Sequence, residues 1–166
     1  MDLGAISDIG SSSTEFSVEI WFKPDELEIA SLIQNGSDYT TNTYYLWQQS
    51  STELVFEVYG SSSFDAITFN EVNNYVVGNW YHLVGVWKSG ERLKLYKNGS
   101  ASLNKTWASG SIQTAVRSGD TTTIVGQRGS GSYFDGNIPI VRLYTVALTE
   151  AQVLQNFNAQ KSRFGL

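Results

Sequence analysis

Chemistry in this chain has few residues to work with. The sequence of 166 residues holds one histidine and no cysteine. Thiolate metal sites and disulfides are therefore excluded, and a nucleophilic triad has a single base available, His82. That histidine lies inside Trp80-Tyr81-His82-Leu83-Val84-Gly85-Val86-Trp87. Among such apolar neighbours it reads as a hydrogen-bonded structural imidazole, because acid–base work needs a positioned partner. Glycoside cleavage would instead need two carboxylates, a nucleophile and an acid, about 5–5.5 Å apart in a retaining enzyme. The acid cluster Asp25-Glu26-Leu27-Glu28 follows Pro24, lacks alternate spacing and reads as a solvated loop. No catalytic residues and no enzyme are expected. Calcium takes six to eight oxygens. Asp135 beside Gly136, or Asp120 before a threonine run, could each supply one. The simpler reading of Asp135 is a turn residue. No cofactor is expected, with calcium kept open.

Binding is better served than catalysis. Tyr44 to Gln48 and Leu54 to Tyr59 read as a hairpin around Gln49 to Glu53. Alternation sends Tyr44, Leu46, Leu54, Phe56 and Val58 to the core. Tyr45, Trp47, Glu57 and Tyr59 then take the opposite face with Val55. Open to solvent, they would offer aromatic plates beside a carboxylate. That combination suits sugar stacking and hydroxyl hydrogen bonding, and equally a protein interface, where Tyr and Trp are enriched. Covered by loops, the same four would be packing. They are the candidate ligand-binding residues.

The elements that must position this face are strands. Phe16, Val18, Ile20 and Phe22 alternate with Ser17, Glu19 and Trp21 up to Pro24. Leu32-Ile33 closes on Asn35-Gly36, and Ile67 to Phe69, Ser111-Ile112 and Thr122 to Gly126 read as further strands. The Trp80 run and Arg92 to Lys97 flank a polar break, with Trp80 and Trp87 read as core and Asn98-Gly99 as a tight hairpin demanding positive φ. Trp107 has no clear setting. Ile138 to Tyr144 is the last strand, and Pro139 puts that end at an edge or a bulge. One helix is expected near the end. Thr149 and Gln152 have capping-box spacing, and Ala151, Val153, Leu154 and Phe157 share one face.

Composition agrees with an all-β chain of one domain, residues 1–166. Hydrophobic residues make up 41%, aromatic residues 13% and charged residues 16%, the last against roughly 25% in an average soluble domain. A net charge of −5 without a basic stripe argues against a nucleic-acid binder. No apolar run approaches the ~20 residues of a membrane span, so no membrane insertion is expected. Met1-Asp2-Leu3-Gly4 opens with an acid and lacks the apolar region of a secretory leader. Asn35, Asn98 and Asn104 match the glycosylation sequon but read as turn chemistry.

Several segments, in order, resemble the laminin-G-like, concanavalin A-like jelly rolls. Phe16 to Pro24 is similar to the family's F-T-i-x-x-W-v-k-P opening, and Trp80 to Gly99 to its W-x-H-V-A strand and L-x-L-Y-x-D/N-G hairpin. Thr123 to Gly126, Tyr133 to Gly136 and Val141 to Tyr144 resemble the later strands. Ala147 to Val153 resembles the closing A-L-S-x-x-E-V segment. The resemblance implies an all-β, antiparallel two-sheet jelly-roll sandwich with one short C-terminal helix. Family glucanases resemble E-x-D-x-x-E on one strand, and that pattern is missing here, as are the lyase motifs. Pro139 and Ile140 stand where related domains often carry an acid, which removes one calcium ligand. The ending Asn156 to Gly165 resembles tails on laminin-G-like domains of phage structural proteins. It implies a virion surface component, a capsid decoration or tail-associated protein, located on the virion with capsid or other virion proteins as partners. Glycans on host or environmental surfaces are the second partner class, and a homo-oligomer is left open. The alternatives are a free, extracellular carbohydrate-binding lectin and, at lower weight, a polysaccharide-degrading glucanase or lyase.

Overall fold

The computed structural model describes residues 2–5, 9–10, 12–36, 41–61, 63–70, 75–101, 106–107, 113–117, 122–128 and 132–166. The strands are β1 (Asp2–Ala5), β2 (Glu15–Pro24), β3 (Ala30–Asn35), β4 (Tyr44–Ser50), β5 (Glu53–Tyr59), β6 (Phe64–Asn70) and β7 (Tyr81–Lys88). They continue as β8 (Arg92–Lys97), β9 (Ser100–Ala101), β10 (Thr106–Trp107), β11 (Thr122–Val125), β12 (Gln127–Arg128), β13 (Ser132–Tyr133) and β14 (Gly136–Tyr144). Helix α1 (Glu150–Gln160) and a 3-10 turn (Lys161–Phe164) end the chain. Every strand pairing among the described residues is antiparallel. A seven-stranded sheet runs β1-β11-β3-β4-β5-β6-β10, a five-stranded sheet runs β14-β2-β7-β8-β9, and β12 and β13 make a small ribbon. The Ser111-Ile112 strand expected from the sequence lies outside the described residues.

The period-two pattern of β2 explains how the layers stack. Phe16, Val18, Ile20 and Phe22 enter the core between the sheets, beside Leu46, Phe56, Val58, Leu83 and Trp87. Ser17, Glu19 and Trp21 point the other way and are nonetheless fully buried. Helix α1 makes that burial possible. It lies over the five-stranded sheet, where Val84, Val86, Tyr96, Leu148 and Val153 form a second apolar layer. The helix starts as the sequence predicts: the Thr149 side chain accepts from the Gln152 N–H, and the Gln152 side chain accepts from the Thr149 N–H. Of its expected apolar face, Val153 alone is buried, and Leu154 stays 46% exposed.

Two glycine positions are dictated by packing. A Cβ on Gly85 would sit 2.6 Å from the Phe56 ring, so this strand lets an aromatic side chain from the opposite sheet reach its backbone. The β8–β9 turn uses Asn98 (φ 50°) and Gly99 (φ 80°), both positive as the two-residue hairpin requires. Pro139 falls in a register shift between Asn137 and Ile140 on β14, an edge strand. Both parts of its expected placement hold.

One packing expectation fails. Trp87 is fully buried, but Trp80 is only half-buried and precedes β7. The two have opposite parity, so a strand that sends Trp87 to the core sends Trp80 to the helix side. There it meets Phe164, with ring centroids 4.7 Å apart.

Candidate functional site

The hairpin of β4 and β5 sits in the middle of the seven-stranded sheet and fixes the candidate face by register. Tyr45 pairs with Gln34 on β3 and with Glu57 on β5, and Glu57 pairs in turn with Ala66 on β6. Side chains in one such row share a face. Because Tyr44, Leu46, Phe56 and Val58 belong to the core, this row looks outward. Tyr45 and Trp47 stack with centroids 5.0 Å apart and planes 6° from parallel. The Tyr59 hydroxyl donates to Glu57 Oε2 at 2.5 Å. All four residues singled out from the sequence are therefore brought together.

Their exposure is less than open plates would have. Tyr45 is 3% exposed, Glu57 7% and Tyr59 8%. Burial, reinforced by the neighbouring Glu57 carboxylate, pushes the Tyr59 hydroxyl far above the usual phenol range. Tyr59 therefore keeps its proton at neutral pH and can donate it to Glu57. Trp47 is half-buried. Two residues that sequence reasoning missed extend the face. Phe64 stacks on Tyr59 at 5.3 Å and is 41% exposed. The Arg117 guanidinium lies 5.1 Å from the Tyr59 centroid, held by its Nε donating to the Gly60 carbonyl at 3.2 Å. Phe64 could have been found by extending the Ile67 strand by three residues. Arg117 sits in a segment with no periodicity and gave no signal. Chemically the arrangement is a rigid aromatic platform: Tyr45, Glu57 and Tyr59 hold it, while Trp47, Phe64 and Arg117 present it.

A second polar cluster lies under α1. Glu19 on β2 is fully buried and faces Arg142 directly across the β2–β14 pair, with Arg142 Nη1 2.6 Å from Oε1. The Tyr144 hydroxyl donates to Oε2 at 2.6 Å, Asn156 Nδ2 of the helix donates at 2.8 Å, and His82 Nε2 lies 3.3 Å away. Burial would raise the Glu19 pKa. The close approach of His82, the hydrogen bond from Tyr144 and the charges of His82 and Arg142 more than offset it and hold the carboxyl at about 2. His82 also packs against Trp21 (4.8 Å) and Phe157 (5.8 Å), which stack on each other at 5.9 Å. With both rings against it and a buried carboxylate beside it, His82 belongs to the contact between β7 and the helix.

Asp25, Glu26 and Glu28 are exposed on the loop after β2. Asp135 is exposed too, and its backbone carbonyl accepts from the Asp25 N–H at 3.0 Å, next to the Gly136–Pro24 end of the β2–β14 pairing. Asp120 lies outside the described residues. Among the described residues no group of three or more His, Asp or Glu is placed to hold a metal ion, and no helix is long and apolar enough to cross a membrane. The backbone of Trp107 pairs with Ala66.

Solved structures share this architecture at low identity. The botulinum neurotoxin serotype G binding domain superposes with a TM-score of 0.74 at 12% identity, covering 97% of this chain and 40% of its own. The serotype D ligand-binding domain, solved in complex with N-acetylneuraminic acid, gives 0.70 at 13%, covering 94% and 39%. A heptameric SAP-like pentraxin from Limulus polyphemus gives 0.60 at 20%, covering 92% and 73%. The chain thus spans about two fifths of the toxin domains it matches. No curated protein matches it. Residues 3–154 match the model of one family. With that match, the strand order and the jelly-roll layers agreeing, the chain belongs to the concanavalin A-like lectin/glucanases superfamily.

Proposed function

We propose that the chain is a non-catalytic glycan-recognition domain whose sugar-contacting surface is the outer face of the seven-stranded sheet. One observation carries the reading: the Tyr45–Trp47 stack beside the Tyr59–Glu57 hydrogen bond, edged by Phe64 and Arg117. Trp47 and Phe64 supply apolar surface for a sugar ring. Arg117 adds a positive edge, and the buried Tyr45, Glu57 and Tyr59 keep the platform from collapsing. The acids beside β2 stay on a solvated loop, which favours binding over cleavage. Glycan-array binding by the purified chain tests it. Wild type is expected to bind, and Trp47→Ala to weaken binding about tenfold, in keeping with ~1–3 kcal/mol per aromatic stack. Equal binding by the variant would sink the proposed face.

The finer placement is on a virion surface, as a capsid decoration or tail-associated protein. Its support is the segment Asn156 to Gly165, whose sequence resembles tails of phage structural proteins. A free extracellular lectin is the other placement. Imaging of the native assembly separates them, since a decoration protein must occupy regular lattice positions.

A further inference from the structure

We propose that Asn98 is a site of spontaneous, backbone-mediated deamidation, which the fold leaves open at this turn and blocks at the chain's other Asn-Gly pair. This self-modification is independent of the platform reading and uses none of its residues. The two pairs are Asn35-Gly36 and Asn98-Gly99, each followed by serine. Their local chemistry is therefore the same, and a glycine without a side chain hinders attack on the amide in neither. A difference in reactivity must come from the surroundings that folding supplies.

The reaction needs a glycine N–H without an acceptor, an electrophilic amide carbon and an NH2 able to leave. At Asn35 the first and last are tied up. The Gly36 N–H donates to the Thr122 carbonyl at 2.8 Å, and Asn35 Nδ2 donates to Thr123 Oγ1 at 3.3 Å. Asn98 is different. The β8–β9 hairpin pairs Lys97 with Ser100 and leaves Asn98 and Gly99 as its loop. Among the described residues, neither the Gly99 N–H nor Asn98 Nδ2 makes a hydrogen bond. Asn98 Oδ1, by contrast, accepts from the His82 backbone N–H at 2.9 Å. That donor draws electron density from the amide carbon and stabilises the negative charge that builds on Oδ1 during attack.

The Gly99 nitrogen bonds to Asn98 Cγ, the Cγ–Nδ2 bond breaks, and ammonia leaves with the Gly99 N–H proton. Water then opens the cyclic imide at either carbonyl, giving aspartate or isoaspartate. The turn lies against α1, which gives the change a consequence. A Cβ on Gly99 would come 3.0 Å from Leu154 Cδ1 and 3.1 Å from Phe157 Cδ1, so helix side chains rest on this glycine. Isoaspartate adds a methylene to the main chain here. The lengthened turn pushes on Phe157, which stacks on Trp21 at 5.9 Å, and loosens the helix from its sheet.

Ageing the purified chain at neutral pH, folded or in guanidinium chloride, tests the site. Peptide mass spectrometry then follows conversion at Asn35 and Asn98 separately. The ratio of the Asn98 rate to the Asn35 rate should be at least about tenfold higher in the folded chain, because reaction at Asn35 must first break two hydrogen bonds. The isoaspartate form, separated by its added negative charge, should unfold at a lower denaturant concentration than the fresh chain. The same ratio in both states, an Asn98 that converts only in guanidinium chloride, or an isoaspartate form as stable as the fresh chain each overturns the proposal.

Discussion

Neutralising Glu19 should uncouple α1 from the five-stranded sheet, and the size of the effect follows from the geometry. The carboxyl titrates at about 2 in the folded chain against an ordinary value of 4.5. A shift of that size, at about 1.4 kcal/mol per unit, corresponds to about 3 kcal/mol. Because the folded pKa is depressed, this stabilisation is fully present above about pH 4.5 and is lost as the pH falls towards 2. About 2 kcal/mol of it should be gone by pH 3. Urea unfolding followed by tryptophan fluorescence is the assay, since Trp21 packs against His82 and the rings of Phe157 and Phe164. Glu19→Gln should be about 3 kcal/mol less stable than wild type at pH 7, and the gap should narrow to about 1 kcal/mol at pH 3. A gap that does not change with pH, or a variant as stable as wild type at neutral pH, would refute the reasoning.

Other substitutions follow from contacts already described. Gly85→Ala pushes a methyl group into the Phe56 ring and should cost about 1–3 kcal/mol in chemical denaturation, partly relieved by Phe56→Leu. Thr149→Ala removes the side-chain acceptor of the capping box and should cost about 1 kcal/mol, read as a lower thermal midpoint. Tyr45→Ala removes a buried ring from the platform, so it should lower both thermal stability and glycan binding, whereas Trp47→Ala should affect chiefly binding. Tyr45→Ala without a stability cost would show the platform to be looser than its burial implies.

The strands were legible because burial on one face writes itself into alternation. Phe16 to Phe22 and the Tyr44–Tyr59 hairpin have the faces and partners that a period of two assigns. The helix start was legible for a local reason, since capping-box residues three apart need only each other. What escaped was set by distant chain. Alternation puts Glu19 and Trp21 on the face of β2 away from Phe16 to Phe22, and nothing local says that a helix about 130 residues later covers them. Trp80 reads as core because it opens the apolar Trp80 to Trp87 run, while parity relative to Trp87 sends it elsewhere. The four face residues were found together because they belong to one hairpin. Arg117 joins them through a segment whose path no periodicity reveals.

The interruption at Pro139 bears on how copies of this chain can meet. A nine-residue border strand with a continuous row of unused amide groups would invite another chain to add itself there. Here the row is broken by a residue with no N–H to offer and by the local kink around it. Lateral accretion along this margin is disfavoured, so a neighbour meeting this edge would dock through side chains rather than extend the ladder there.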